Sequence, residues 1–356
     1  MSRLAALPAP RHFVALGPHA GAHRVALRAG LSVALPLLLL EATGRLDLSL
    51  YATFGAFTAL YGRADRHGAR ARMQLSAAAV LVACVTLGTA VAVSPARDWL
   101  ILPVAALVAA AAAAASDLAR WHPPGALFPI FALAACAAVP AAPERIPIAA
   151  AVAAGSALLA VAIGVAGGAR PRLRAQRDVA QRSGLATSRA ARAAGAVDGR
   201  DSATAAVATL VAGLIPTALG LGHPYWAMVA ALAATSGPDT TARLVRAGQR
   251  AAGTLLGVAA AAVLLTLPLS PLATIAAVVA LQGVAELLVG RNYALALVAV
   301  TPLALLMVEL AHPVGTAALL HDRALETLLG AAVGAAVTLA VHRPRDRART
   351  ALVTIR

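Results

Sequence analysis

The chain has 356 residues, of which 60% are apolar and 13% charged, and its mean hydropathy is +0.79. An average soluble protein carries about 25% charged residues. These values exclude a disordered chain, a disulfide scaffold and an ordinary soluble enzyme, and they indicate a membrane protein with many spans. At ~20 residues per spanning helix, the length admits at most about a dozen spans and one modest soluble segment. The net charge is +15, and all 30 strongly basic residues are arginines. They sit in short stretches between apolar runs, which reads as orientation in a bilayer and not as nucleic-acid binding.

Twelve apolar runs follow one another along the chain. Residues 1–23 precede them and show no apolar stretch with a small-residue cleavage site, so the first run reads as an uncleaved span. The first half, 24–168, holds runs at 24–42, 47–61, 75–93, 99–115, 125–140 and 146–168. Residues 169–202 form a linker rich in arginine. The second half, 203–341, holds runs at 203–221, 224–236, 251–267, 271–290, 293–310 and 322–341, and a basic tail fills 342–356. Backbone in lipid must satisfy its own hydrogen bonds, so runs of this length predict helices. No ten-residue alternation of the barrel kind is present. The fold expected is an all-α polytopic membrane protein of about twelve spans.

With both termini cytoplasmic, 26 of the 30 arginines fall on the cytoplasmic side; Arg45, Arg97, Arg145 and Arg323 remain outside. That split follows the positive-inside rule. Tyr51, Trp99, Tyr225 and Trp226 are expected near outer edges, and Tyr61, Trp121 and Tyr293 near inner ones, as an aromatic belt. Cys84 and Cys136 lie inside apolar runs with no ligand spacing around them, so neither a disulfide nor a metal site is expected.

The halves resemble each other. In each, an outer aromatic opens a short run that leads into a basic loop: Tyr51 to Leu60 and then Tyr61 to Arg72, against Tyr225 to Thr235 and then Ser236 to Arg246. Six spans per half make the repeat parallel, about an axis along the membrane normal. The second and eighth runs are short, and the fifth and eleventh carry Pro129 and Pro302, which marks them as candidate broken helices.

The densest pattern runs from Gly237 to Gly257. Asp239 or Thr240 can cap a helix. Arg243, Arg246 and Arg250 then share one face, and Gly253 and Gly257 permit close helix approach. Such a cationic stripe is either an anchor at the membrane surface or an anion-attracting vestibule or gate.

This stretch resembles the signature of the FUSC family, the fusaric acid resistance-like inner-membrane proteins that include aromatic acid exporters. The residues that carry the resemblance are Tyr225-Trp226, Pro238-Asp239, Arg243 and the run Arg250-Ala251-Ala252-Gly253-Thr254-Leu255-Leu256-Gly257. Arg323 followed by Glu326-Thr327-Leu328-Leu329-Gly330 matches a second element, and Gly55-Ala56-Phe57 with the loop from Arg63 to Arg72 is a weaker copy. The resemblance implies proton-driven efflux of small organic, often aromatic, acids through the cell inner membrane. Similarity to plant organic-anion channels makes passive conduction the alternative. A non-transport assembly partner, or an enzyme on lipid-linked substrates, is the third possibility. The family often carries a large cytoplasmic domain after six spans; only the linker stands there.

Ionisable residues inside spans are candidates for function. Glu286 is the first choice for a coupling proton, because a desolvated carboxyl exchanges its proton nearer neutral pH. Glu326 and Glu309 are the further proton-coupling candidates, and Arg323 joins the anion-attracting or gating candidates; with His312 and His321 the alternative for them is a polar cluster at an outer loop. No Walker lysine, His-Glu-x-x-His or nucleophile elbow occurs, so no enzyme and no cofactor is expected. The expected partners are the lipid bilayer and a small organic anion. Gly/Ala-rich helix faces also permit a homo-oligomer.

Overall fold

The computed structural model describes residues 13, 16–17, 21–63, 65–166, 199–311 and 315–353, with side chains up to residue 341. Most of the N-terminal segment and of the linker, and the side chains of the tail, therefore lie outside the described residues.

A helix stands over each of the twelve apolar runs. In the first half these are α1 (Ala22–Ala42), α2 (Ser49–Ala56), α3 (His67–Ala92), α4 (Arg97–Ala119), α5 (Leu127–Ala138) and α6 (Arg145–Ala166). In the second they are α7 (Gly199–Ala218), α8 (Tyr225–Thr235), α9 (Thr240–Leu265), α10 (Pro271–Leu288), α11 (Tyr293–Ala311) and α12 (Thr316–Val353). Among the described residues there is no strand. Among the described residues, nine helices are long and apolar enough to cross a membrane. Three apolar stretches are shorter: Leu46–Leu60 around α2, Leu127–Ala138 and Tyr225–Thr235. At 1.5 Å per residue, α8 alone covers roughly half of a ~30 Å hydrocarbon core. Helix ends at that depth need protein around them. The packing supplies it, since every residue of α2 and all but the last of α8 are buried.

Several helices begin before the apolar run does. α3 and α9 each start more than a turn upstream, carrying Arg70 and Arg243 on their first turns. Asp239 is the N-cap of α9, its side chain accepting from Ala242 N at 2.8 Å. The turns before these two helices are built alike. Arg70 Nε donates to Gly62 O at 3.1 Å, and Arg243 Nε donates to Gly237 O at 3.0 Å. Gly62 has φ +68, a backbone region that a side chain would strain.

The halves also choose their packing partners alike. In the first, α3 packs on α5 and α6, α2 on α6, and α4 on α5; in the second, α9 packs on α11 and α12, α8 on α12, and α10 on α11. Between them, α4 packs on α7 and α10 on α1. Glycines set the closest approaches. A Cβ on Gly55 of α2 would meet Ala153 O of α6, and one on Gly330 of α12 would meet Ala227 O of α8.

Three expectations need correction. The aromatics do not form a lipid-facing belt: Tyr51, Tyr61, Trp121, Tyr225 and Trp226 are all buried, and Trp99 is the exposed one at 57%. With so little ring area in the chain, it fills the core instead. Pro129 does not break a helix; it lies in the first turn of α5, where an N–H has no intrahelical partner to lose. Pro302 lies inside α11, which continues through it from Tyr293 to Ala311. The prolines inside helices also include Pro36, Pro103 and Pro216.

Candidate functional site

Four helices of the second half, α8, α9, α11 and α12, enclose the polar residues. Their contacts rest on glycine. Gly253 of α9 lies so close to α11 that a Cβ would meet Ala294 O, and Gly257 would meet Thr301 Cβ at 2.6 Å. On α12, Arg323, Glu326, Thr327, Gly330 and Gly334 recur at helical spacing and form one buried face. Gly330 and Gly334 seat that face on Ala227 and Ala231 of α8. The family-like motifs are thus largely the joints that let these helices approach.

Arginines and aromatic rings run through the enclosed space. Arg246 lies over the Tyr293 ring at 4.3 Å. Arg250, 4% exposed, donates from Nη1 to Tyr293 Oη at 3.0 Å. Arg323, 1% exposed, lies over the Trp226 ring at 3.9 Å. Such contacts are worth ~0.5–2 kcal/mol. That does not offset the several kcal/mol that desolvating a guanidinium costs. Beyond Trp226, the backbone N–H of His223 donates to Glu326 Oε1 at 2.9 Å, and the His223 ring meets Asp322 at 2.9 Å. The order is therefore Arg246, Tyr293, Arg250, then Arg323 with Trp226, then Glu326, His223 and Asp322.

Hydrogen bonding within this column is incomplete. Among the described residues, Arg250 Nε, Arg323 Nε and Nη1, Trp226 Nε1, Glu326 Oε2 and Thr254 Oγ1 are buried without a hydrogen-bond partner. Each such group costs ~1–3 kcal/mol if it stays bare. A set this dense needs water or a polar guest.

A cavity opens at each end. Beside Arg246, about 500 Å³ is lined by Pro238, Asp239, Gln249, Arg291, Asn292 and Tyr293 among others. Phe13 is held at its edge, its carbonyl accepting from Gln249 Nε2 at 3.2 Å and Asn292 Nδ2 at 2.9 Å. Beside His223 and Tyr225, a smaller cavity of about 180 Å³ lies between the halves.

The predicted residues divide. Arg246, Arg250, Arg323, Tyr225, Trp226, Thr254 and Glu326 converge on the column. Arg243 shares the helix but turns away, towards Gly237 O and, at 3.8 Å, Asp201 of α7. Glu326 and Arg323 are not part of a solvated outer loop, because both are buried on the α8-facing side of α12. Glu309 is partly exposed near the end of α11, and His312 lies outside the described residues. Glu286 is buried on α10. Its Oε2 meets Arg63 Nη2 of the first half at 2.6 Å, and Oε1 accepts from Gln282 at 3.2 Å. Sequence reasoning placed Tyr293 at the interface and did not single out His223, Asp322 or Arg63 for the site. The nearest signal was that Tyr293 follows Arg291 at a helix start and that His223 precedes the Tyr-Trp pair.

Residues 210–337 match the family model described as fusaric acid resistance protein-like, which bears out the resemblance over that stretch. Every residue of the column lies within it. The chain is also similar to an uncharacterized membrane protein, YvaC, of Bacillus subtilis (strain 168). The two are 30% identical over 138 residues, which is 38% of this chain and 22% of the relative. The match thus spans about a fifth of that relative's length. No solved structure matches.

Proposed function

We propose, taking the family match over residues 210–337 as the premise, that this chain is an inner-membrane secondary transporter. It exports small organic acids, aromatic ones among them, using the proton gradient. The reading rests on one observation above the others: Arg323, fully inside the helix bundle, stacks on Trp226 while its Nε and Nη1 have no hydrogen-bond partner. A cation with unused donors inside a membrane protein fits an anion that passes through and does not stay. Arg246 and Arg250, with Tyr293 between them, provide an approach to it.

The proton in this scheme is carried by Glu326. Its Oε2 has no hydrogen-bond partner, and it lies one turn from Arg323 on the same helix face. Glu286 serves a different purpose: held by Arg63, it ties α10 to the first half.

Twelve crossings with both termini cytoplasmic complete the proposal, as two parallel six-helix repeats. The like choice of packing partners in the two halves supports the repeat, and the distribution of arginine supports the orientation.

The test is accumulation of labelled benzoate and of short aliphatic acids in everted vesicles, with and without an uncoupler. Uncoupler-sensitive accumulation that is lost in Arg323→Gln is the expected result. Flux that ignores the uncoupler would make the protein a passive channel, and no flux above empty vesicles would end the transport reading.

A further inference from the structure

We propose that the N-terminal stretch carrying Phe13 and Gly17 is a latch. It holds the two walls of the cavity beside Arg246 at one separation, and its release lets those walls move apart. The inference stands on the packing around that cavity and does not depend on the transport reading.

One wall is the start of α9 with the turn before it, from Ser236 to Gln249; the other is the turn from α10 into α11, from Val289 to Tyr293. One turn beyond Gln249, Gly253 already lies against Ala294 of α11. The walls therefore diverge from a closed joint, like the arms of a fork. Arg246 and Tyr293 line the space between them, so the spread of the arms sets the room around the first guanidinium of the column.

Phe13 and Gly17 bridge the arms. Phe13 O accepts from Gln249 Nε2 of one wall at 3.2 Å and from Asn292 Nδ2 of the other at 2.9 Å, so a single carbonyl joins both. Gly17 pairs with Arg291 in both directions. Its N–H donates to Arg291 O at 2.9 Å, and its carbonyl accepts from Arg291 Nε at 3.1 Å. Asn292 also accepts through Oδ1 from Leu295 N at 3.1 Å, which fastens the bridge to the first turn of α11. On the α9 side the Phe13 ring lies over Gly248, where a Cβ would stand 2.6 Å from Cε1. A glycine inside a helix costs stability relative to alanine; here the missing side chain is the socket for the ring.

The bridge is built to come loose. Phe13 and Gly17 are half-buried, and Leu16 between them is exposed at 59%. A segment held by a few half-exposed hydrogen bonds opens at a free energy well below that of global unfolding. The joint at Gly253 lies within the helices and stays closed when it does.

The test puts spin labels on the two walls of the full chain in detergent, through Thr241→Cys and Gly290→Cys. Both positions line the cavity and are exposed, and a Cβ on Gly290 meets nothing within 4 Å. The native Cys84 and Cys136 are buried, out of reach of the label. Double electron–electron resonance is expected to give one distance in the labelled pair alone. Phe13→Ala removes the ring, and Gly248→Leu fills its socket with a good helix former. Each is expected to add a second, longer distance. If Gly248→Leu does not fold, Phe13→Ala decides. A single unchanged distance in Phe13→Ala overturns the proposal, even where the unfolding midpoint falls, because the segment is then a packing contact and nothing more.

Discussion

The two halves choose equivalent packing partners but fill the space between their helices with different chemistry. In the first half the interior is rings on rings: Phe54 against Phe57 and Phe131, and Tyr61 against Trp121, in edge-to-face contacts at 5.0 to 5.6 Å. In the second, the corresponding interior holds Arg250, Arg323 and Glu326 with several unpartnered donors and acceptors. Where the first half does bury an arginine, its hydrogen bonds are made. Arg70 donates to Gly62 O, Gly164 O and Asp65 O at 3.1, 2.9 and 2.6 Å. A buried cation saturated by carbonyls holds structure together, whereas one with spare donors is available to a guest. The difference teaches that a like choice of packing partners does not decide what fills the space between the helices: rings in the first half, charged groups in the second.

The glycine joints should break both halves equally. Gly55→Val and Gly330→Val each force a side chain into a carbonyl of the facing helix. Each is expected to cost more than ~3 kcal/mol and abolish the folded protein, as read by size-exclusion and thermal unfolding in detergent. Tolerance of one but not the other would mean that the halves do not share a frame. Flux should then separate the halves. Arg323→Gln is expected to lower benzoate transport about a hundredfold and Arg323→Lys about tenfold, since lysine keeps the charge but not the planar stack. Phe57→Leu, in the first half and packed on Phe54 and Phe128, should change it less than about threefold.

Smaller effects concern the contact between the halves and the helix starts. Glu286→Gln removes one partner of the Arg63 pair. With Arg63 partly exposed, a loss of ~1–3 kcal/mol in stability is expected, with uncoupler sensitivity unchanged. Loss of uncoupler sensitivity in this variant, at normal stability, would return the proton to Glu286. The smallest expected change is at the caps. Asp239→Ala should destabilise the start of α9 by ~1 kcal/mol, visible as faster amide exchange. The matching helix α3 has Arg66 at its N-cap with no side-chain cap bond, so Arg66→Asp should slow exchange there.

Much of the frame was legible in the sequence. The twelve apolar runs lie under the twelve helices, and of the two expected caps of α9, Asp239 and Thr240, it is Asp239 that caps it. The site was legible only as separate pieces. Arg250 and Arg323 each belonged to a recognisable motif, but nothing local indicated that one meets Tyr293 and the other Trp226. The partner of Glu286 was not legible either: its nearest arginine in sequence, Arg291, points back to Gly17 O at 3.1 Å, while Arg63 arrives from the other half. Aromatic rings were placed by chain position alone, which gives depth along a helix but not the direction a side chain faces.

The sequence by itself determined that this is a helical membrane protein, where its helices lie, and that residues 210–337 are fusaric acid resistance protein-like. Those properties follow from the length and apolarity of local segments, because a bilayer leaves few other ways to satisfy the backbone. Only the tertiary structure decided which polar groups meet. His223 and Asp322 are 99 residues apart, and their contact depends on the rotation of α12 against α8. That rotation is set by where Gly330 and Gly334 allow the two backbones to touch.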